Sequence, residues 1–324
     1  MSTRVQVIFL GGTIGMTGAP GQGASPRLDA AELLAGVPVP DDLEVVPLEL
    51  LKVGSSHLTF AHVLEVARAA DRAVQDGATG VVVVQGTDSM EETSYLLDLG
   101  WRHDAPLVLT GAMRNPGLPG PDGPANLASA IAVAVSPGCR GLGALVVLND
   151  ELHAARHVAK RHTSLPSAFE SPGAGPVGRM LEGTPVVTYR PRRQPAMPLP
   201  ERLDRRVGLV TATLDDDPAV VRAVAGVCDG LVVAGFGAGH LKADVADAAA
   251  EVAERMPVVL TSRAGAGSVH TRTYGGKGSE EDLLGRGLVN AGHLAPLKAR
   301  LLLAVLLANG ARHDTVTETF TRHG

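Results

Sequence analysis

The chain has 324 residues, 45% of them hydrophobic and 19% charged, enough for a large core and for two domains. A net charge of −5 and a pI near 6.1 speak against nucleic acid or an anionic membrane surface as the main partner. No apolar run reaches membrane-spanning length, and the two cysteines, Cys139 and Cys228, lie far apart without CxxC spacing, so a soluble protein of a reducing, cytoplasmic compartment is expected.

Strand-like runs alternate with helix-like ones. Val5–Leu10 is short, apolar and β-favouring, and it passes into Gly11-Gly12-Thr13-Ile14 rather than a signal-peptide cleavage site. Such an end is a tight turn presenting one hydroxyl among backbone N–H groups. After the glycine-rich loop Gly18–Ser25, expected to be mobile, come a short helix capped by Asp29, a strand over Leu43–Leu51 and a helix N-capped by Thr59. Gly80–Val84 is an unbroken β-branched run, as in a parallel strand buried on both faces, and leads through Gly86-Thr87-Asp88 into a helix over Ser89–Leu99. Leu107–Thr110 reads as a strand ending at Gly111-Ala112-Met113-Arg114, Asn126–Val135 as a helix and Ala144–Leu148 as a strand.

This order predicts an α/β fold with a large N-terminal parallel-sheet domain, helices on both faces, over residues 1–189. Residues 190–206, rich in proline and charge, read as a solvated linker that includes Arg190-Pro191-Arg192-Arg193. Strands at Val207–Thr211, Gly230–Ala234 and Val258–Thr261, with helices at Asp244–Arg255 and Ala295–Ala308, make a smaller C-terminal α/β domain over residues 207–324.

Three strand ends carry glycine followed by a hydroxyl or an acid: Gly12-Thr13, Gly54-Ser55-Ser56 and Gly86-Thr87-Asp88. If their strands are neighbours, these ends converge on one crevice; on pattern alone, ordinary turn chemistry explains them equally well. Such a crevice supports acyl transfer. A threonine hydroxyl is a weak nucleophile that needs a base, and Lys160 is a candidate, although a lysine taken alone is most often a solvated side chain. Asp88 is placed to hold that lysine or to receive a substrate ammonium, and glycine N–H groups beside Thr13 or near Gly111 to hold an oxyanion.

Gly11-Gly12-Thr13-Ile14 and Gly86-Thr87-Asp88-Ser89-Met90-Glu91-Glu92-Thr93 resemble the two signatures of bacterial-type L-asparaginases. Gly111–Arg114, Asp122-Gly123-Pro124, Asn149-Asp150, Lys160 and Lys298-Ala299-Arg300 follow in that family's order, so the resemblance covers essentially the whole chain. It implies an amidohydrolase that converts L-asparagine to L-aspartate and ammonia with no metal or organic cofactor. It implies Thr13 as the attacking threonine, and Thr87, Asp88 and Lys160 as a second catalytic group. Gly54, Ser55 and Ser56 then hold the substrate α-carboxylate, Asp88 the α-amino group, and Ala112 supplies a backbone contact near the leaving amide. The resemblance also implies a homodimer or homotetramer with each site between the large domain of one subunit and the small domain of its partner.

The chain departs from the family pattern in places. No tyrosine precedes Tyr95, where the family often carries one in the loop after the first threonine. The partner-subunit glutamate falls at or near Tyr274, with Glu280 and Glu281 a little farther on. Tyr274 is expected to reach across the dimer and supply the missing phenol, the alternative being a packing residue. Gln85 stands where the family has histidine, and His240 where it has asparagine. Two rival functions are a glutaminase-asparaginase of broader preference and a catalytically weak amino-acid-binding relative. A third, a self-cleaving N-terminal-threonine hydrolase, would expose Thr87 or Thr184. Set aside are Gly235–Gly239, which lacks dinucleotide-binding spacing, Gly275–Ser279, which lacks P-loop spacing, and a zinc pair of His153 and His157, four apart as on one helix face.

Overall fold

The computed structural model describes Thr3–Thr17, Ser25–Pro26 and Leu28–Gly324, so the expected mobile loop before Ser25 lies outside the described residues. The chain divides into two compact units, Met1–Met197 and Pro198–Gly324.

In the first unit, β1 (Thr3–Phe9) is followed by the short antiparallel pair β2 (Met16–Thr17) and β3 (Ser25–Pro26). Then come α1 (Ala30–Ala35), β4 (Leu43–Glu49), α2 (Phe60–Gln75), β5 (Gly80–Val84), α3 (Met90–Gly100), β6 (Leu107–Thr110), α4 (Gly123–Val135) and β7 (Ala144–Leu148). Strands β4, β1, β5, β6 and β7 lie side by side in that order and are parallel. Val5, Val7, Phe9, Val82, Val84, Val108, Leu145 and Val147 form one core with Leu127, Ala130, Ile131 and Ala134 of α4. The alternate residues Ile8, Val81, Val83, Leu107 and Leu109 are fully buried on the other face, which is why these strands read as continuous apolar runs. Asp29 and Thr59 cap α1 and α2 as expected, each in a reciprocal capping box, with Glu32 and His62.

The sheet is not wholly parallel. Asn149 and Asp150, at φ 51° and 59°, reverse the chain into β8 (Glu151–Ala154), antiparallel to β7. β9 (Ala159–Lys160) and β10 (Phe169–Glu170) form a separate hairpin, and β11 (Gly178–Leu181) and β12 (Thr184–Val187) extend the main sheet beyond β8. At two to four residues each, these strands are too short for periodicity to reveal them.

The basic segment at Arg190 is bonded to the main chain of the first unit. Arg190 donates to the carbonyls of Arg140 and Gly138 at 2.9 and 2.6 Å, and half-buried Arg193 donates to that of Trp101. These guanidiniums fasten the segment to main-chain acceptors, with Arg190 itself still exposed.

The second unit carries β13 (Val207–Thr211), α5 (Pro218–Ala225), β14 (Gly230–Gly235), α6 (Ala243–Ala253) and β15 (Val258–Ser262). It continues through α7 (Glu280–Gly285), β16 (Val289–Asn290), α8 (Pro296–Ala308) and α9 (His313–His323). Its four strands are parallel in chain order. Phe236 and His240 exchange backbone hydrogen bonds at 2.9 Å, so the glycine run after β14 is a tight turn. No helix among the described residues is long and apolar enough to cross a membrane.

Beyond their ladder, β1 and β5 come into backbone contact. A Cβ on Gly12 would lie 2.2 Å from the nitrogen of Gly86, and Gly12 sits at φ 102°, a region only glycine enters freely. Gly12→Ala is expected to cost about 3 kcal/mol or more, from left-handed strain plus a forced backbone shift. A lower urea midpoint at unchanged denaturant slope would register it.

Candidate active site

The order β4-β1-β5-β6 sets the carboxyl ends of four parallel strands along one edge, where open α/β sheets bind ligands. Thr13 opens a single 3-10 turn, Thr13–Gly15, directly after Gly12. Among the described residues the N–H groups of Thr13 and Ile14 and the Thr13 hydroxyl have no hydrogen-bond partner, as the open end of a helical turn leaves them. Thr87, at the end of β5, is buried, and Lys160 Nζ lies 2.8 Å from its Oγ1 and 2.8 Å from Asp88 Oδ1. The lysine side chain is 15% exposed and the aspartate 66%, so the pair forms a wall of the crevice with its carboxylate toward solvent.

Ser55 locks the third strand end to the second. Its hydroxyl accepts the Asp88 N–H at 3.0 Å and reaches Asp88 Oδ2 at 3.4 Å, while Ser89 Oγ donates to the Ser55 carbonyl at 2.8 Å. Gly86 has no room for a side chain because Ser55 Oγ would lie 2.7 Å from its Cβ. Thr87, Asp88, Lys160 and Ser55 are thus joined by direct contacts. Gly54 is half-buried, Ser56 exposed and Ala112 fully buried, and these three stand outside that network of side-chain bonds.

The supporting roles of several residues were not foreseen from the sequence, although Asp122 stands in the quoted Asp122-Gly123-Pro124 run. The Asp122 carboxylate accepts the N–H groups of Met113 and Arg114, at 3.0 and 2.8 Å, fixing the loop beyond Ala112. Buried Asn126 donates to the Gly111 carbonyl and accepts from the Asn149 N–H, both at 3.0 Å, tying the ends of β6 and β7 together. Their signal is only the short polar run before an apolar helix. Gln85 points behind the site: its amide nitrogen bonds the Gly86 carbonyl at 3.2 Å and Thr93 Oγ1 at 3.4 Å. His153 lies in β8 and His157 in the turn after it, so the two do not share a helix face. No group of three metal-binding side chains occurs among the described residues. The His153 ring, 1% exposed, meets Ser171 Oγ at 3.0 Å.

Tyr274 belongs to the second unit. Its ring stands edge-on to His240 at 4.8 Å and stacks over His270 at 6.4 Å. Glu280 is buried completely. Its Oε1 accepts the N–H groups of Thr273 and Tyr274 at 2.8 and 2.9 Å, and its Oε2 meets His240 Nε2 at 3.1 Å. Burial pushes this carboxyl up, but the two N–H donors and His240 outweigh it, leaving the group below its ordinary value. Glu280 is therefore committed to shaping the turn, whereas Glu281 is exposed.

Fold and site together define a two-unit α/β protein with a threonine–lysine–carboxylate centre of the kind that amide chemistry employs. The profile described as "Asparaginase, N-terminal" matches residues 4–193, and "Glutaminase/Asparaginase C-terminal domain" matches residues 206–320. The L-asparaginase of Bacillus licheniformis is 34% identical, over 95% of this chain and 97% of its own. The probable L-asparaginase of Deinococcus radiodurans is 35% identical, over 98% of this chain and 97% of its own. The crystal structure of a probable cytoplasmic L-asparaginase from Campylobacter jejuni superposes with a TM-score of 0.86 at 29% identity, covering 98% of this chain and 99% of that one. The chain belongs to the asparaginase family.

Burial holds the His153 imidazole below its ordinary value of 6.5; Glu151 opposes this and Arg179 adds to it. Below about pH 6.5 the unfolded chain takes up a proton that the folded chain refuses, so stability falls as pH drops. His153→Leu should flatten the change in unfolding midpoint between about pH 7.5 and about pH 5.5.

Proposed function

We infer that the chain is an L-asparaginase, an amidohydrolase that converts L-asparagine to L-aspartate and ammonia. The observation that carries the mechanism is Lys160 Nζ at 2.8 Å from both Thr87 Oγ1 and Asp88 Oδ1, in a chain of this family. Thr13 attacks the carboxamide carbon, and the unpartnered N–H groups of its own turn receive the developing oxyanion. The Thr87–Lys160 contact is the geometry of proton relay: with neutral lysine, the Thr87 hydroxyl proton moves to Nζ and onward to the leaving nitrogen while Thr87 takes up the proton that Thr13 gives up on attack, so that both Thr87 and lysine end as they began. Ammonia departs as the acyl-threonine ester forms. Water, deprotonated by the same pair, then hydrolyses the ester to aspartate and restores the threonine hydroxyl. Asp88 orients Lys160 and, with its carboxylate toward solvent, receives the substrate ammonium, while Gly54, Ser55 and Ser56 receive the α-carboxylate and Ala112 lines the amide end.

The working assembly is a homodimer or homotetramer, with the catalytic domain over residues 1–189, a linker over 190–206 and a small domain over 207–324. Tyr274 of a partner subunit supplies the phenol that the N-terminal loop lacks. Its support is a ring 49% exposed, held against two histidines, whose hydroxyl has no hydrogen-bond partner among the described residues. The compartment is cytoplasmic, consistent with Cys139 and Cys228 being free thiols.

Ammonia release from asparagine and glutamine by wild type, Thr13→Ala, Thr87→Ala and Lys160→Met tests the mechanism. Each substitution should lower kcat/KM for asparagine at least tenfold, about 1.4 kcal/mol of transition-state stabilisation. Full turnover in both threonine variants would overturn it. Tyr274→Phe should lower kcat, and a rate equal to wild type would return that residue to a packing role.

A further inference from the structure

Lys160 is carried by a short hairpin, held by its ladder, by the Arg161 N–H on the Ala168 carbonyl at 2.7 Å and by the buried Val158, Ala168 and Phe169. The β9–β10 ladder has two residue pairs, Lys160 opposite Phe169 and Ala159 opposite Glu170, and so short a ladder is marginal in water. The residue after β10 is Ser171, 6% exposed, whose hydroxyl lies 3.0 Å from Nδ1 of His153. His153 is set in the main sheet, opposite Val146 of β7. We propose that His153 is a positioning residue for Lys160: acting through Ser171, it fastens the β9–β10 hairpin to the sheet and thereby holds the lysine amine on Thr87 and Asp88. This rests on the role given to Lys160 above.

The surroundings agree with a single-purpose contact. With the imidazole neutral and its proton on Nε2, Nδ1 accepts the Ser171 O–H. Nε2 faces Glu151 Oε2 at 3.4 Å without forming a hydrogen bond, and Glu151 is itself held by Arg179 through bonds of 3.1 and 2.8 Å. The Ser171 carbonyl accepts the N–H groups of Ala174 and Gly175 at 3.1 and 2.8 Å. The chain then returns to β8, where the Val177 N–H bonds the Leu152 carbonyl at 2.7 Å. The loop after the hairpin therefore closes around the histidine, which touches none of the groups assigned to the chemistry.

Steady-state kinetics on asparagine of His153→Leu, Ser171→Ala, their double variant, His153→Asn and Lys160→Met decide the matter. His153→Leu and Ser171→Ala should each lower kcat about fivefold or more, with KM changed less than about twofold. The double variant should fall no further than the worse single one, since both remove one contact. His153→Asn, whose amide reaches the place of Nδ1, should recover most of the rate, which a mere space-filling role would not predict. If the histidine variant does not fold, Ser171→Ala removes the same bond by deleting one oxygen and decides alone. Loss of turnover in Lys160→Met with unchanged kcat in Ser171→Ala and His153→Leu overturns the proposal and leaves the role of Lys160 standing. Turnover retained in Lys160→Met removes both.

Discussion

The close approach of Gly12 to Gly86 is the constraint on which the rest depends. Within the ladder, hydrogen bonds set the spacing of β1 and β5; past its end the two chains pack backbone to backbone, which Gly12 allows because it carries no Cβ. The residues that follow, Thr13 and Thr87, are delivered to the same sheet edge as a consequence. Gly86 is pressed from its other side by Ser55, so three strand ends share one packing problem, and glycine is its solution at two of them. The hydroxyls are placed by the sheet, not by the loops that bear them.

Charge is then added from outside the sheet. Lys160 arrives on a hairpin and lies against Asp88, whose carboxylate keeps much of its hydration. A half-solvated pair of this kind keeps both groups available to a ligand. Glu280 in the second unit shows the opposite use of the same chemistry. There a carboxylate is wholly withdrawn from water, and its oxygens are spent on Thr273, Tyr274 and His240. One acid faces solvent while bonded to a lysine; the other is consumed in making a turn rigid.

Much of this was legible in the residues. Gly80–Val84 could hardly be other than a strand covered on both faces, and Asp29 and Thr59 cap the helices their positions suggest. The glycine–hydroxyl ends were legible as well, but only strand order turns them from separate turns into one edge, and strand order is long-range information. The short strands β8 to β12 were missed because two to four residues are too few to establish an alternating pattern. The bonds of Arg190 and Arg193 were not legible because their partners are carbonyl oxygens, which every residue has and no composition reveals. On a helix His153 and His157 would have shared a face; Asn149 and Asp150, in left-handed conformations, turn the chain into a strand instead.

The topology also bears on how the molecule comes into being. β1 pairs on one side with residues from Leu43 onward and on the other with residues from Gly80 onward, so the first strand made waits for both neighbours. Lys160 meets Thr87 only after a further span of 73 residues has been synthesised. Long-range parallel pairing is slow, because loop-closure entropy is lost before any contact rewards it. An apolar β1 with two unpaired edges is thus exposed during synthesis, the period in which such a strand is most open to aggregation and most in need of chaperone protection. The contact of Lys160 with Thr87 is among the last features of the first unit to form, and a nascent chain lacks it until most of that unit has left the ribosome.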